Sequence, residues 1–112
     1  MVQRPPPLDS AFAALADATR RGVLERLGRG EASISELAGD FDMTLTGMKK
    51  HVQVLEDAGL VATEKVGRVR FCRLGPRRLE EETAWIARYQ AMLEARYDRL
   101  GEFLEHTTGD RS

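Results

Sequence analysis

The chain has 112 residues, 42% hydrophobic and 31% charged, with a net charge of -1. That size is one domain, and that composition folds rather than staying disordered. One cysteine, Cys72, excludes an internal disulfide. No run approaches the ~18 apolar residues of a membrane span, and no positive-then-apolar leader opens the chain, so a cytoplasmic location with no membrane partner is expected. A near-neutral balance neither demands nor excludes nucleic acid, so the distribution of charge has to decide.

Residues 1–7 (MVQRPPP) hold three consecutive prolines and read as a disordered, extended arm. Leu8, Phe12, Leu15 and Ala16 form an i, i+4, i+7, i+8 stripe, which predicts a short helix over 8–16. Asp17 or Thr19 offers an N-cap for a second helix over 20–27, with Val23, Leu24 and Leu27 on its apolar side. Ser33-Ile34-Ser35 suggests a very short strand. Ser35 or Ser33 caps a third helix that runs to Phe41. After a tight link at 42–44, Thr44 caps a fourth helix, and Gly59 is a natural residue to end it. Residues 60–65 and 68–74 are strand candidates around a hairpin turn at Val66-Gly67. Gly75-Pro76 breaks the chain.

Residues 79–105 then read as an uninterrupted helix, roughly 40 Å long at ~1.5 Å per residue. A polar, frayed tail follows over 107–112. The fold class expected is mainly α with a minor β hairpin. Residues 8–78 form a winged helix-turn-helix and residues 79–106 a long C-terminal helix.

The fourth helix, within MTLTGMKKHVQVLEDAGLV (43–61), has a divided polar face. At 100° per residue, Leu45, Met48, Val52 and Leu55 fall in one sector and are expected to pack on the domain. Thr46, Lys49, Lys50 and Gln53 point the opposite way, and Val54 and Ala58 sit on a flank. Glu56 and Asp57 close the helix. A recognition helix enters the major groove by its N-terminal half, where hydroxyls, amides and lysines reach phosphates and base acceptors. Acids at the far end are then expected to lie away from the duplex. A solvated face with ordinary charges is the plain alternative.

The hairpin adds Lys65, Arg68, Arg70 and Arg73, with Arg68 and Arg70 two apart and so on one face. From Met43 to Leu74 there are six basic residues and three acidic ones, net +3, which leaves -4 for the rest of the chain. Charge segregated by element is the footprint of a nucleic-acid face on a near-neutral protein. Edge protection and solubility are the competing account of a basic hairpin.

The long helix repeats Leu79, Ile86, Leu93 and Leu100 every seven residues, with Tyr89, Tyr97, Phe103 and Leu104 between them and Trp85 and Met92 widening the stripe. So small a body cannot bury all of it. A dimer seam is expected, with Phe12 and the first helix packing beside it. Seven acids against three bases suit a surface turned away from DNA.

Three stretches carry a resemblance: ALADATRRGVLERL, then ISELAGDFDMTLTGMKKHVQVLEDAGLV, then a basic hairpin ending in CRL. Together, over residues 12–74, they resemble the ArsR/SmtB family of bacterial winged-helix regulators. The resemblance implies a homodimeric repressor of operator DNA, with Thr44, Thr46, Lys49 and Lys50 toward the duplex and the wing on the backbone or minor groove. Relatives often carry small polar pairs where this chain has Lys49-Lys50. Many relatives sense metals through a Cys-x-Cys, but here those positions are Ser33 and Ser35, poor ligands for soft metals. On the last helix only His106 near Glu102 remains of a second metal-site pattern. No metal or cofactor is therefore expected, and the effector is unknown. His51 and Cys72 are expected to be structural.

No catalytic spacing or phosphate loop is present, so an enzyme is not expected. A winged-helix adaptor that binds protein rather than DNA is the alternative. Single-stranded RNA is disfavoured, because no aromatic residue sits among the basic ones on the face.

Overall fold

The computed structural model describes the backbone of residues 7–109 and the side chains of residues 8–101. The elements are α1 (Pro7–Leu15), α2 (Ala18–Leu27), β1 (Ala32–Ser33), α3 (Ile34–Asp40), α4 (Leu45–Asp57), β2 (Val61–Val66), β3 (Val69–Leu74) and α5 (Glu80–Gly109). The order is the expected one, and the fold is a mainly helical winged helix-turn-helix with a long last helix. The chain divides into two compact units, Met1–Leu79 and Glu80–Ser112. Most of the expected arm (residues 1–6) and the end of the expected tail (residues 110–112) lie outside the described residues.

Helices α2, α3 and α4 each start on a local cap. The Arg20 backbone N–H donates to the Asp17 carboxylate at 3.0 Å, the Glu36 N–H to Ser33 Oγ at 3.0 Å, and the Gly47 N–H to Thr44 Oγ1 at 3.0 Å. Such a cap contributes on the order of 1 kcal/mol. The Ser33 cap corrects the short strand. Ile34 and Ser35 are already helical, and the strand lies one residue earlier, with Ala32 opposite Cys72 and Ser33 opposite Phe71.

The turn between α3 and α4 is built by backbone. Asp42 takes φ +52°, its N–H donates to Gly39 O, and the Met43 N–H donates to Ala38 O at 2.8 Å. This is a Schellman closure, and aspartate is one of the few residues that enters the left-handed region readily. The end of α4 repeats it. Gly59 takes φ +78°, and the Leu60 N–H donates to Leu55 O at 2.9 Å. Arg77 Nη1 then donates to Ala58 O at 2.9 Å, a cation on the negative end of the helix.

The sheet has the order β1-β3-β2, antiparallel throughout. Val66 pairs with Val69, so the hairpin loop is Gly67-Arg68 rather than the expected Val66-Gly67. The glycine, at φ +64°, occupies the first loop position, where a II′ hairpin turn demands one. The first strand shifts by one residue, to 61–66, and the second starts one residue later, at 69, and ends at 74 as expected.

Met48, Val52 and Leu55 of α4 are buried with Val23, Leu27, Leu37, Ala58 and Cys72 in one core. Leu45 departs from its expected place in that stripe, at 44% exposed. As the first helical residue it lines the groove beside the hairpin, one turn before Lys49. Leu79 also departs from its expected seam. It precedes α5, takes φ +61°, and packs against the core of the first unit.

Within α5, Trp85 and Tyr89 stack with ring centroids 5.6 Å apart, the i, i+4 spacing of a helix face. Ile86, Tyr89, Met92, Tyr97 and Leu100 are exposed and Leu93 is half-buried. The side chains of Phe103, Leu104 and His106 lie outside the described residues. Among the described residues no helix is long and apolar enough to cross a membrane.

Candidate nucleic-acid interface

On α4, Thr46, Lys49, Lys50 and Gln53 are all exposed, opposite the buried Met48, Val52 and Leu55. Thr44 is exposed too, but its oxygen is engaged as the cap, which leaves its hydroxyl proton to donate. The amide of Gln53 donates to the Asp57 carboxylate one turn on at 2.8 Å, which leaves its carbonyl oxygen and second N–H for a partner.

The hairpin supplies the facing wall. Strand register places Thr63 opposite Cys72 and Lys65 opposite Arg70. Cys72 is fully buried, so Thr63, Lys65 and Arg70 share its inward face, toward α4. Lys49, Gln53 and Leu45 on the helix and Lys65, Arg68 and Arg70 on the hairpin line one groove. Arg68 reaches it from the turn, not from the strand face it was expected to share with Arg70. Arg73 is on the other face of β3, paired with Glu64 at 3.5 Å, both exposed.

Of the two acids expected to lie away from this face, Glu56 does not. Its carboxylate lines the groove and accepts from the Thr63 hydroxyl at 2.5 Å, while Arg70 Nη1 donates to Thr63 Oγ1 at 2.9 Å. Periodicity places Glu56 late on the helix but carries no information about a partner seven residues on. Strand alternation alone would have put Thr63 on one face with Lys65; its place opposite Cys72 comes from the register.

The helix is held from behind by the stretch around Arg20. Arg20 Nε donates to Ala14 O at 2.8 Å and Nη2 to Ala13 O at 3.0 Å, which closes the end of α1. Its Nη1 lies 3.3 Å from His51 Nδ1 on α4. Arginine only donates, so in this contact Nδ1 is the acceptor. Asp17 stands 3.8 Å from the same nitrogen. The Arg20 backbone N–H holds the Asp17 carboxyl below its ordinary value. Asp17, Arg20 and His51 therefore tie the end of α1 and the start of α2 to α4.

Cys72 is free and buried, and burial pushes its thiol up to about 11, with the neighbouring Glu56 carboxylate adding to the shift. Alkylation by iodoacetamide at pH 8 should therefore be negligible on the folded chain and rapid in denaturant, since only the thiolate reacts. Fast labelling of the folded chain would show an accessible, reactive thiol. Among the described residues no cluster of three or more histidines, cysteines or carboxylates is placed to hold a metal ion.

Comparison with known proteins gives the family. The family described as a helix-turn-helix domain matches residues 15–64. The HTH-type transcriptional regulator Rv2034 of Mycobacterium tuberculosis is 40% identical over 68 residues, 61% of this chain and 64% of that protein, so the chain spans a little under two thirds of its length. The transcriptional repressor SdpR of Bacillus subtilis is 22% identical over 82 residues, 73% of this chain and 91% of that protein. The crystal structure of an ArsR family transcriptional regulator superposes with a TM-score of 0.73 at 48% identity, covering 84% of this chain and 97% of that one. With this fold, this identity and this basic face, the chain belongs to the ArsR family of winged helix-turn-helix transcriptional regulators, DNA-binding proteins rather than enzymes.

Proposed function

We propose that the chain is a dimeric repressor that places the N-terminal half of α4 in the major groove of an operator and the β2–β3 wing on the backbone or minor groove. The observation that carries this reading is the groove lined by Lys49, Lys65, Arg68 and Arg70, with the exposed Lys50 next to Lys49 on α4. Thr44, Thr46 and Gln53 bring neutral hydrogen-bonding groups to the same face, the kind that distinguishes base edges. The lysines act on phosphates as point charges and supply affinity without sequence information.

Dimerisation would use the apolar stripe of α5, with Ile86, Tyr89, Leu93, Tyr97 and Leu100, and Phe12 of α1 would be a further interface residue. The stripe is too apolar to be left to solvent in a stable monomer. Two-fold symmetry would then set two recognition helices on half-sites about 34 Å apart. Repression fits the distant likeness to SdpR, a repressor by name. Selection from a pool of random duplexes tests the reading. An enriched inverted repeat with half-sites one turn apart is expected, and a pool without consensus would contradict it.

A further inference from the structure

Three side chains bridge α4 and the hairpin in a chain with a direction. Arg70 donates to Thr63 at 2.9 Å, and Thr63 donates to Glu56 at 2.5 Å. The order is forced by chemistry, because arginine only donates, a carboxylate only accepts, and the hydroxyl does one of each. Charged ends make both bonds stronger than neutral ones. An arginine near a hairpin tip otherwise has wide rotamer freedom. Here the position of its guanidinium depends on an acid of the recognition helix.

That acid is at first sight misplaced. Glu56 lines the same groove as Lys49 and Arg70, where a phosphate would meet repulsion. Its contribution to binding must therefore come through what it holds. We propose that Thr63 and Glu56 are positioning residues for Arg70, and that they determine specificity by presenting one guanidinium in one place while lowering the attraction of the groove for any phosphate. This deepens the operator-reading proposal and rests on it. It also makes the wing and the recognition helix a single reading surface.

The two contributions separate by substitution. Thr63→Val removes the hydroxyl and keeps the volume, the branching and the strand preference. Operator affinity should fall about tenfold, the scale of one charge-assisted hydrogen bond. Binding to a shuffled duplex and its salt dependence should not change, because Arg70 keeps its charge. Thr63→Ser should restore the native value. Adding Thr63→Val to Arg70→Ala should cost nothing beyond Arg70→Ala alone, the non-additivity of residues that act as one. Glu56→Gln keeps an acceptor but removes the charge, so affinity for the shuffled duplex should rise, more at low salt than at high.

Fluorescence anisotropy on both duplexes measures all of these, with thermal melting alongside to confirm that each variant is folded. Unchanged operator affinity in Thr63→Val would overturn the proposal. So would an equal loss on both duplexes, or losses that add with those of Arg70→Ala. Lys49→Ala/Lys50→Ala in the same series keeps the two ideas apart. If that variant binds the operator as well as the native chain, the operator reading itself fails. If it collapses while Thr63→Val is silent, the relay alone fails.

Discussion

Replacing Lys49 and Lys50 together by alanine should weaken operator binding by two to three orders of magnitude at physiological salt, while leaving the fold intact. Each phosphate neutralised contributes about 0.9 to the slope of log K against log salt. Two lysines on each of two protomers make four such contacts, so the slope should flatten by roughly 3 to 4 units. Reckoned from 1 M salt down to 0.15 M, that is close to a thousandfold. Both side chains are exposed, so their loss should move the melting transition little. Anisotropy across a salt series and a thermal melt check both halves. A double variant that binds as tightly as the native chain, with the same slope, would show that α4 does not lie against the phosphates.

The second large effect concerns α5. Ile86→Glu/Tyr97→Glu should turn a dimer into a monomer and reduce operator affinity by about 10²–10⁴-fold, the gain that linking two binding modules confers. Ile86 is 43% exposed and Tyr97 65% exposed, so a chain working alone should scarcely register their exchange. Only a partner covering them would. Two carboxylates buried in an apolar seam have no favourable place to go. Sedimentation gives the mass and anisotropy the affinity. A native chain that already sediments as a monomer, or a variant that remains a dimer, would contradict the seam.

Much of this was legible in the sequence, and the reasons differ by element. Helix period placed Met48, Val52 and Leu55 in the core because each lies well inside α4. The same period misplaced Leu45, since periodicity does not say where the body beneath a helix ends. Leu79 failed likewise. A heptad counted it into the seam, but a left-handed residue before the first turn of α5 sends its side chain to the core instead. The basic hairpin was plain from composition. Its division was not, because only the strand register puts Arg70 on the inward face and pairs Arg73 with Glu64 on the other. The largest gap was Glu56. Its charge suggested a place far from the duplex, and its hydrogen bond to Thr63 lies across a loop that no local pattern spans. The stretch ALADATRRGVLERL was one of three that carried the family resemblance. The physical content of that stretch, Arg20 closing α1 and reaching His51, is visible only in the fold.

The central claim is that this face reads a DNA sequence. Its most direct test is fluorescence anisotropy with the duplex immediately upstream of the chain's own gene, against a shuffled duplex of the same composition, each at two salt concentrations. Binding to the upstream duplex should be tight, weaken steeply with salt, and exceed binding to the shuffled duplex by at least about 10³-fold, the low end for specific sites. Equal affinity for both duplexes at both salts would contradict the claim, and no binding at low salt would favour a winged-helix module that docks on protein.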